Sequence, residues 1–290
     1  MRRRPARDLL AALAALAVGA EGAAAQAVAA PGGATVSLRL RPRAGDTLHL
    51  RFEQTVAGAA AAARAGAAAK PVPRLLSSML VLSRSVVERS DAAGSVVVSH
   101  TDSVELRMPG APAEALARAR KGMQGKATRM QVAPDGAMRW LSQRGRGADT
   151  AAAGTALGLP GALPAMPVAT GATWVRTMPL PWTDGAAARA DGEAPRHEIT
   201  FRLDSLARAG GVAFVSMRGR LLAADGAAVR VGGARGGGGS ADGRLRLDLA
   251  RGWITDSRVD FALDLVPPSA PEGGKAPPMR VVVSQKLVAR

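Results

Sequence analysis

Alternation of apolar with polar side chains is the feature of this chain that most constrains its fold. In segments such as 196–207 and 279–288, apolar residues recur at every second position, and Arg, Asp, Ser, Thr or Lys fill many of the positions between them. A period of two places alternate side chains on opposite faces of a β-strand. Roughly ten to twelve such segments, joined mostly by hairpin-type turns, predict an antiparallel meander. A parallel sheet would need a helix between successive strands, and the sequence lacks these helices.

Each predicted strand has one apolar face and one face of charged or hydroxyl side chains. We therefore predict a mainly β fold: a strongly curved antiparallel sheet, forming a half-barrel or open barrel, with one or two short helices. The concave side of such a sheet must be covered by helices, loops or a ligand. One helix is expected at 112–121, because Glu114 lies in its first turn and basic residues lie in its last turn. A second short helix is expected at 155–159.

Three local expectations follow from turn signals and composition. The alternating segments 36–41 and 48–54 flank a turn sequence that contains Gly45 and Asp46, which predicts a local hairpin. The alanine-rich stretch 57–70 has no large apolar residue to anchor a helix, so we expect a loop there. The glycine-rich stretch 232–239 is expected to form a flexible hairpin tip.

The N-terminus has the three parts of a secretion signal. A cluster of arginines precedes an uncharged run of Leu, Ala and Val at 9–18, and Ala23-Ala24-Ala25 provides an A-x-A cleavage site before Gln26. The run is too short to cross a bilayer, which takes about 20 residues. The protein is therefore expected in the periplasm or outside the cell.

This signal divides the chain into three parts. We predict a signal peptide at 1–25, a linker at 26–34 and a single antiparallel β domain at 35–290. The domain could be composed of two halves, 35–165 and 166–290. No later segment is long and apolar enough for a transmembrane helix, so no transmembrane segment is expected after the signal is cleaved.

The amino-acid composition limits the kinds of partner that we expect the protein to bind. The formal net charge is +16, but aromatic residues make up only 3% of the chain and tyrosine is missing, so few rings could stack on bases. We therefore expect no nucleic-acid partner, and the basic balance indicates either a solvated surface or an acidic envelope partner. The absence of cysteine excludes disulfides, thiolate metal ligands and cysteine nucleophiles, and we expect no lipid anchor on an N-terminal cysteine.

Recognisable catalytic motifs are missing from the sequence. His49, His100 and His197 lie in separate strand-like segments, and a metal site would require them to converge with carboxylates. No G-x-S-x-G motif occurs, and the glycines at 236–239 precede a strand, whereas a phosphate-binding loop precedes a helix. We therefore expect no enzyme activity, no metal and no cofactor. An enzyme whose residues converge only in space is the remaining alternative.

Turn glycines and core aromatics recur in the second half of the chain. The segment 167–174 ends at Trp174 and precedes the strand 199–206, and the segment 252–261 begins with Gly252 and Trp253. In outline, residues 35–290 resemble uncharacterised exported bacterial proteins of the lipoprotein-carrier and LppX-like half-barrel families. The resemblance implies a strongly bent sheet with helices across its open side and an apolar concavity that carries lipid or acyl chains.

The largest side chains of this aromatic-poor chain are Trp140, Trp174, Trp182 and Trp253. They are the candidate ligand-binding residues, because an indole combines an apolar ring that can line a cavity with a polar N–H. The alternative is that they fill the core of the curved sheet.

Carboxylates are the other candidate site residues. Paired carboxylates could perform acid–base chemistry. Here Arg258 lies on the same predicted strand face as several of them, so solvated cross-strand ion pairs are the expected arrangement. The carboxylates in or beside predicted strands are Asp102, Glu105, Asp204, Asp256, Asp260 and Asp264.

The leading functional hypothesis is therefore an exported, non-enzymatic binding protein whose curved sheet holds a lipid or another apolar ligand. The alternative is an envelope scaffold that docks on an acidic partner or an anionic surface through its basic face. An open trough lined by apolar side chains would favour the carrier, and a fully packed interior would favour the scaffold.

Overall fold

A computed structural model describes residues 27–28, 34–60, 73–144, 161–179, 196–207, 209–222, 229–231, 234–266 and 279–290. The predicted signal peptide at 1–25, the predicted helix at 155–159 and Trp182 lie outside the described residues, as does most of the predicted linker at 26–34. In the part of the chain that is described, no helix has the length and apolar character needed to cross a membrane.

Strands make up most of the described chain, which confirms the mainly β class. The one helix among the described residues is α1 (Ala113–Met123), in the place where the charge order predicted it. The strands are β1 (Ala27–Val28), β2 (Thr35–Val36), β3 (Thr47–Ala60), β4 (Arg74–Asp91), β5 (Gly94–Arg107), β6 (Ala127–Val132), β7 (Met138–Arg144), β8 (Val168–Ala169), β9 (Thr173–Pro179), β10 (Arg196–Ala207), β11 (Val212–Leu222), β12 (Val229–Val231), β13 (Ala234–Asp248), β14 (Trp253–Val266) and β15 (Met279–Ala289).

Thirteen of these strands form one antiparallel sheet. Its order is β1-β9-β10-β11-β13-β14-β15-β3-β4-β5-β6-β7, and β12 pairs with β13 beside this path. The sheet therefore consists of two meanders, β3 to β7 and β9 to β15, which are joined where the C-terminal strand β15 pairs with β3. Within the described residues the sheet does not close, since β1 and β7 remain at opposite edges. This is the curved, open antiparallel sheet that the sequence predicted.

The two ends of the sheet differ in their connections. The tight turns at 92–93, 134–136, 209–211 and 249–252 lie at one end, which we call the turn end. Arg290 lies there as well, because its N–H and carbonyl pair with His49 near the start of β3, at 3.0 Å in both directions. The longer connections, including the one that contains α1, leave from the opposite end, which we call the loop end.

Two segments outside the main sheet cover the turn end. Along the first, 37–43, the Leu40 N–H donates to the carbonyl of Pro134 in the β6–β7 turn (2.8 Å), and the Arg41 N–H donates to that of Gly252 in the β13–β14 turn (2.8 Å). This segment therefore connects turns that belong to the two different meanders.

The second covering segment, 161–167, joins the far edges of the sheet. Its Leu163 N–H donates to the carbonyl of Asp135 in the β6–β7 turn (3.0 Å). Its Ala162 carbonyl accepts a hydrogen bond from the indole of Trp174 on β9 (2.7 Å). Because β9 and the β6–β7 turn lie near opposite edges of the strand order, these two bonds require the sheet to be curved.

The inner face of the sheet is packed with apolar side chains. One continuous core contains Phe52 and Leu50 from the first meander, Phe201 and Phe261 from the second, and Leu38 from the covering segment. The hydrophobic effect of burying this face is the main source of stability for such a sheet.

The predicted hairpin between 36–41 and 48–54 is wrong. Only Thr35 and Val36 form a strand, β2, and they pair with β8, whereas β3 pairs with β4 and β15. Alternation identifies an extended chain with one buried face, but it does not identify the partner strand. Leu38 and Leu40 are buried because their segment crosses the turn end. The strand β3 also continues to Ala60, into the stretch expected to be a loop.

The glycine-rich stretch contains the predicted hairpin turn, but most of it is strand. Val231 on β12 and Ala234 on β13 are register partners, so the chain turns between them, whereas residues 234–239 belong to β13; residues 232–233 lie outside the described residues. A Cβ atom on Gly239 would lie 2.8 Å from the carbonyl oxygen of Ala262, and one on Gly243 would collide with the carbonyl of Arg258. Glycine is therefore required here so that the backbones of β13 and β14 can approach closely.

Candidate functional site

Trp174 lies in the core near the start of β9. Its side chain is fully buried, its indole N–H donates to the carbonyl of Ala162, and its ring stacks on Phe201 with centroids 5.7 Å apart. The neighbouring Arg176 donates to the carbonyl of Leu163. Trp174 and Arg176 together attach the covering segment 161–167 to β9.

The other three tryptophans are in different situations. Trp253 begins β14 and is fully buried, and its indole nitrogen has no hydrogen-bond partner among the described residues. Trp140 lies on β7, where its backbone pairs with Met130. Trp182 lies outside the described residues. The structure therefore does not bring the four residues together in one described site, and their role in ligand binding stays a prediction.

The inner face also contains polar side chains, mostly in the first meander. The Ser85 hydroxyl on β4 donates to that of Ser99 on β5 (3.0 Å). The Gln285 amide on β15 donates to the carbonyl oxygen of Gln54 on β3 (3.0 Å). Buried polar groups are tolerated when they bond to one another, as these do. They lie among apolar side chains and do not line a described cavity.

His197 on β10 is the buried histidine. Its ring stacks on Phe261 with centroids 5.2 Å apart. Burial disfavours the charged imidazolium and lowers the pKa of His197 to about 4, so the ring is neutral at pH 7. Among the described residues, no group of three or more His, Asp or Glu side chains is placed to hold a metal ion.

Most of the charged side chains on described strands lie on the outer face of the sheet, and Arg176, on the same face of β9 as Trp174, is an exception. Two of the candidate carboxylates form ion pairs: Arg258 Nε lies 3.5 Å from Asp260 Oδ2, and Arg107 Nη2 lies 4.0 Å from Glu105 Oε2. Both join residues two apart on one strand, so they are not the expected cross-strand pairs. Asp204 on β10 accepts a hydrogen bond from Ser216 on β11 (2.9 Å).

Register places four cations in one line across the outer face of the second meander. Arg202 pairs with Ser216, Ser216 with Arg244, Arg244 with Arg258, and Arg258 with Lys286. We call the four exposed side chains Arg202, Arg244, Arg258 and Lys286 the cationic row. Residues directly opposite in adjacent strands have Cβ atoms about 4.5–5.5 Å apart. The row therefore brings like charges together on β13, β14 and β15.

Few acidic side chains lie close enough to neutralise the positive charges of the cationic row. Only Arg258 has a carboxylate within 4.0 Å among the described residues. Arg202 and Arg244 have none, and Lys286 lies opposite Glu53 on β3, whose carboxylate pairs with Arg51 (2.6 Å). By contrast, Arg220, elsewhere on this face, pairs with Glu198 (2.9 Å). Opposed like charges on a sheet are destabilising, so the row is an unfavourable arrangement for the isolated protein.

Two shallow depressions accompany the charged surface. One, of about 280 Å³, lies on the outer face of β9 to β11 at one end of the cationic row and is lined by Thr173, Thr200, Arg202, Ser216 and Arg218, among others. The other, of about 400 Å³, lies between α1 and β5, beside Arg120 and Lys121. Both are on the surface of the described part of the protein.

At both ends of the sheet, some apolar side chains that pack against the core are only partly buried, and Met138, Leu206 and Leu249 are examples near the turn end. Val56, Met79, Leu221 and Met279 pack against the core but remain partly exposed. They belong to strands of both meanders, close to the points where the longer connections leave the sheet.

Comparison with known proteins adds little to this description. No family model matches the chain, and no curated protein matches it. A solved structure, DynF from the dynemicin biosynthesis pathway of Micromonospora chersina, aligns with 94% of this chain and 92% of its own at 8% identity and a TM-score of 0.22. That likeness is too low to bear on fold or function. The resemblance to lipoprotein-carrier and LppX-like families stays a prediction.

Sequence reasoning missed the cationic row. Each of its members sits at an ordinary outward position of a strand and is followed by an apolar residue. The strand alternation shows that these side chains face solvent, but only the register between strands shows that they are opposite one another. The four residues from Arg202 to Lys286 are unevenly spaced along the chain, so no sequence pattern indicates that they are neighbours in the sheet.

Proposed function

We propose that the protein is an exported, non-enzymatic binding protein that docks on an acidic partner through the outer face of its curved sheet. The observation that carries this proposal is the contrast between the two faces. The inner face is filled by the chain's own side chains and is covered at the turn end by 37–43 and 161–167. Along one line of the outer face, cations lie opposite one another, and Arg258 alone among them has a carboxylate within 4.0 Å in the described residues. A partner that supplies negative charge relieves this arrangement.

Salt dependence tests the docking proposal. The chain from Gln26 to Arg290 is titrated with fluorescently labelled poly-L-glutamate at several NaCl concentrations between 50 and 500 mM. Exposed charges are screened beyond about 8–10 Å at physiological salt, so we expect affinity to fall steeply as salt rises. Binding that does not change with salt, or no binding at the lowest salt, would contradict the proposal. Poly-L-glutamine of the same length is the matched uncharged control.

A second candidate is carriage of a lipid or acyl chain, and the partly exposed apolar residues at the loop end favour it. Val56, Met79, Leu221 and Met279 provide an apolar rim at the end opposite the covering segments. Native mass spectrometry of protein purified from the envelope under mild conditions tests this candidate. We expect a bound species with the mass of an acyl chain in the wild type. Its loss in a Val56→Asn variant, together with its retention in a Val282→Asn variant on the outer face of β15, would support lipid carriage. Protein that never retains lipid would exclude it.

Export is part of the proposal and has its own test. The full chain is expressed in a bacterial host and the N-terminus of the periplasmic product is sequenced. We expect it to begin at Gln26, after the small residues at 23–25. A full-length product that remains in the cytoplasm would contradict this part.

A further inference from the structure

We infer that the cationic row is the docking site itself, and that its occupant is an extended acidic segment of a polypeptide. This inference rests on the proposed function and makes it specific. The row consists of Arg202, Arg244, Arg258 and Lys286, on four strands of the second meander.

The row has the length and shape of a site for one extended chain. It crosses from β10 to β15 through β11, β13 and β14, which is four strand spacings. At about 4.8 Å per spacing, the row is about 19 Å long. An extended peptide advances about 3.3 Å per residue, so about six residues cover the row, with alternate side chains facing the sheet. The row is one side chain wide, which fits a single chain.

The carboxylates beside the row favour a polypeptide over a membrane surface. Asp242 and Asp260 occupy the neighbouring line of outward positions on one side, beside Arg218, and Asp256 occupies the line on the other side, opposite Arg246. A flat bilayer of anionic headgroups would contact these carboxylates together with the cations, and like charges would repel. A single acidic segment that lies along the row faces the cations and passes between the carboxylates.

The like-charge pairs lower the stability of the free protein, and this effect can be measured. Arg244 lies opposite Arg258, and Arg258 lies opposite Lys286, so the free protein carries a repulsion that an acidic ligand removes. Replacing Arg244, which lies opposite Arg258 and has no carboxylate within 4.0 Å among the described residues, should therefore stabilise the free protein while weakening binding. A cation that only solubilises the surface would not combine these two effects.

The test compares variants that lose the same charge at different places. Arg244→Thr, Arg258→Thr and Lys286→Thr each remove one cation from the row, and threonine suits a strand position. The matched control is Arg220→Thr, which removes one outer-face cation that is already paired with Glu198. Each protein is titrated with an octaglutamate peptide at 50 mM NaCl, and its melting temperature is measured at the same salt.

We expect each row variant to bind octaglutamate at least about threefold more weakly than wild type, and the Arg220→Thr protein to stay within about twofold. We also expect Arg244→Thr, which loses no ion pair, to melt at or above the wild-type temperature and Arg220→Thr, which loses its ion pair with Glu198, to melt below it. Row variants that bind like wild type would overturn the inference, as would an equal loss in Arg220→Thr, which would mean that binding depends on total charge.

Two further measurements distinguish a failure of this inference from a failure of the proposed docking function on which it rests. If the row variants bind poly-L-glutamate as tightly as the wild type does, the docking function stands but the cationic row is not its site. Phosphatidylglycerol vesicles are tested alongside the peptide. Vesicle binding that is tighter than octaglutamate binding and is lost in the row variants would overturn the assignment to a polypeptide.

Discussion

The side-chain amide of Gln285 on β15 donates a 3.0 Å hydrogen bond to the side-chain carbonyl of Gln54 on β3. The two residues are also direct partners in the register between these strands. Since β15 ends the second meander and β3 begins the first, this bond lies at the seam where the two meanders join. Gln285 is buried, so its amide has little access to water as a substitute partner.

This seam gives a prediction about stability. Gln54→Leu alone leaves the buried Gln285 amide without this partner, which should lower the free energy of unfolding by about 1–3 kcal/mol. The double variant Gln54→Leu, Gln285→Leu removes both polar groups and should recover most of that loss. Urea unfolding of the wild type, both single variants and the double variant measures the coupling. Additive single effects would show that the bond does not stabilise the seam.

A pair of tryptophan variants tests how the covering segment is held. Trp174→Phe removes the N–H that bonds to Ala162, and leaving this buried carbonyl unpaired should cost about 1–3 kcal/mol beyond the loss of ring volume. Trp253→Phe is the matched control, because its indole nitrogen has no partner among the described residues. Chemical denaturation should therefore find Trp174→Phe the more destabilised. Equal losses would mean that the Trp174 hydrogen bond contributes nothing measurable.

Glycine variants test the contact between the first covering segment and the β13–β14 turn. Gly252 has a φ of +62°, and a Cβ atom there would collide with the backbone of Arg41. Gly45 has a φ of +90°, with no atom within 4 Å of such a Cβ. Gly45→Ala should cost only the backbone strain, roughly 1–2 kcal/mol, and Gly252→Ala clearly more. Melting temperatures compare the two variants, and equal shifts would argue against close packing of 37–43 on this turn.

Burial of His197 makes stability depend on pH. Its pKa is lowered to about 4 in the folded protein, against 6.5 for a solvated histidine, so the unfolded chain binds more protons between those values. The contribution is fully present above pH 6.5 and is lost as pH falls toward 4, with a total on the order of 3 kcal/mol. His197→Leu should flatten the stability profile between pH 5 and 7, measured by urea unfolding. An unchanged slope would contradict the assignment.

Strand alternation was sufficient to predict the fold class, because Ile199, Phe201 and Leu203 recur at every second position and are all buried. It could not predict pairing partners, because a buried extended segment looks the same whether it lies in the sheet or crosses its end. Leu38 and Leu40 illustrate this, since their pattern suggested a hairpin and their backbone bonds go instead to turns of both meanders.

Sequence patterns were also insufficient to locate the candidate site. The tryptophans were chosen for their size, and the structure gives Trp174 a packing role that the sequence also allowed. The cationic row depends on the register among five strands, and register is set by packing and turn geometry across the whole sheet. Local patterns around Arg244 or Lys286 carry no information about which residue lies opposite.

The most direct measurement of the docking account is zero-length crosslinking of octaglutamate to the protein with a carbodiimide, followed by peptide mass spectrometry. The reagent joins an amine to a carboxylate only when the two are in contact. Lys286 lies in the cationic row, whereas Lys121 and Lys126 lie on and just after α1. The account predicts crosslinks at Lys286 that disappear at 500 mM NaCl. Crosslinks confined to Lys121 and Lys126, with Lys286 unmodified, would contradict it.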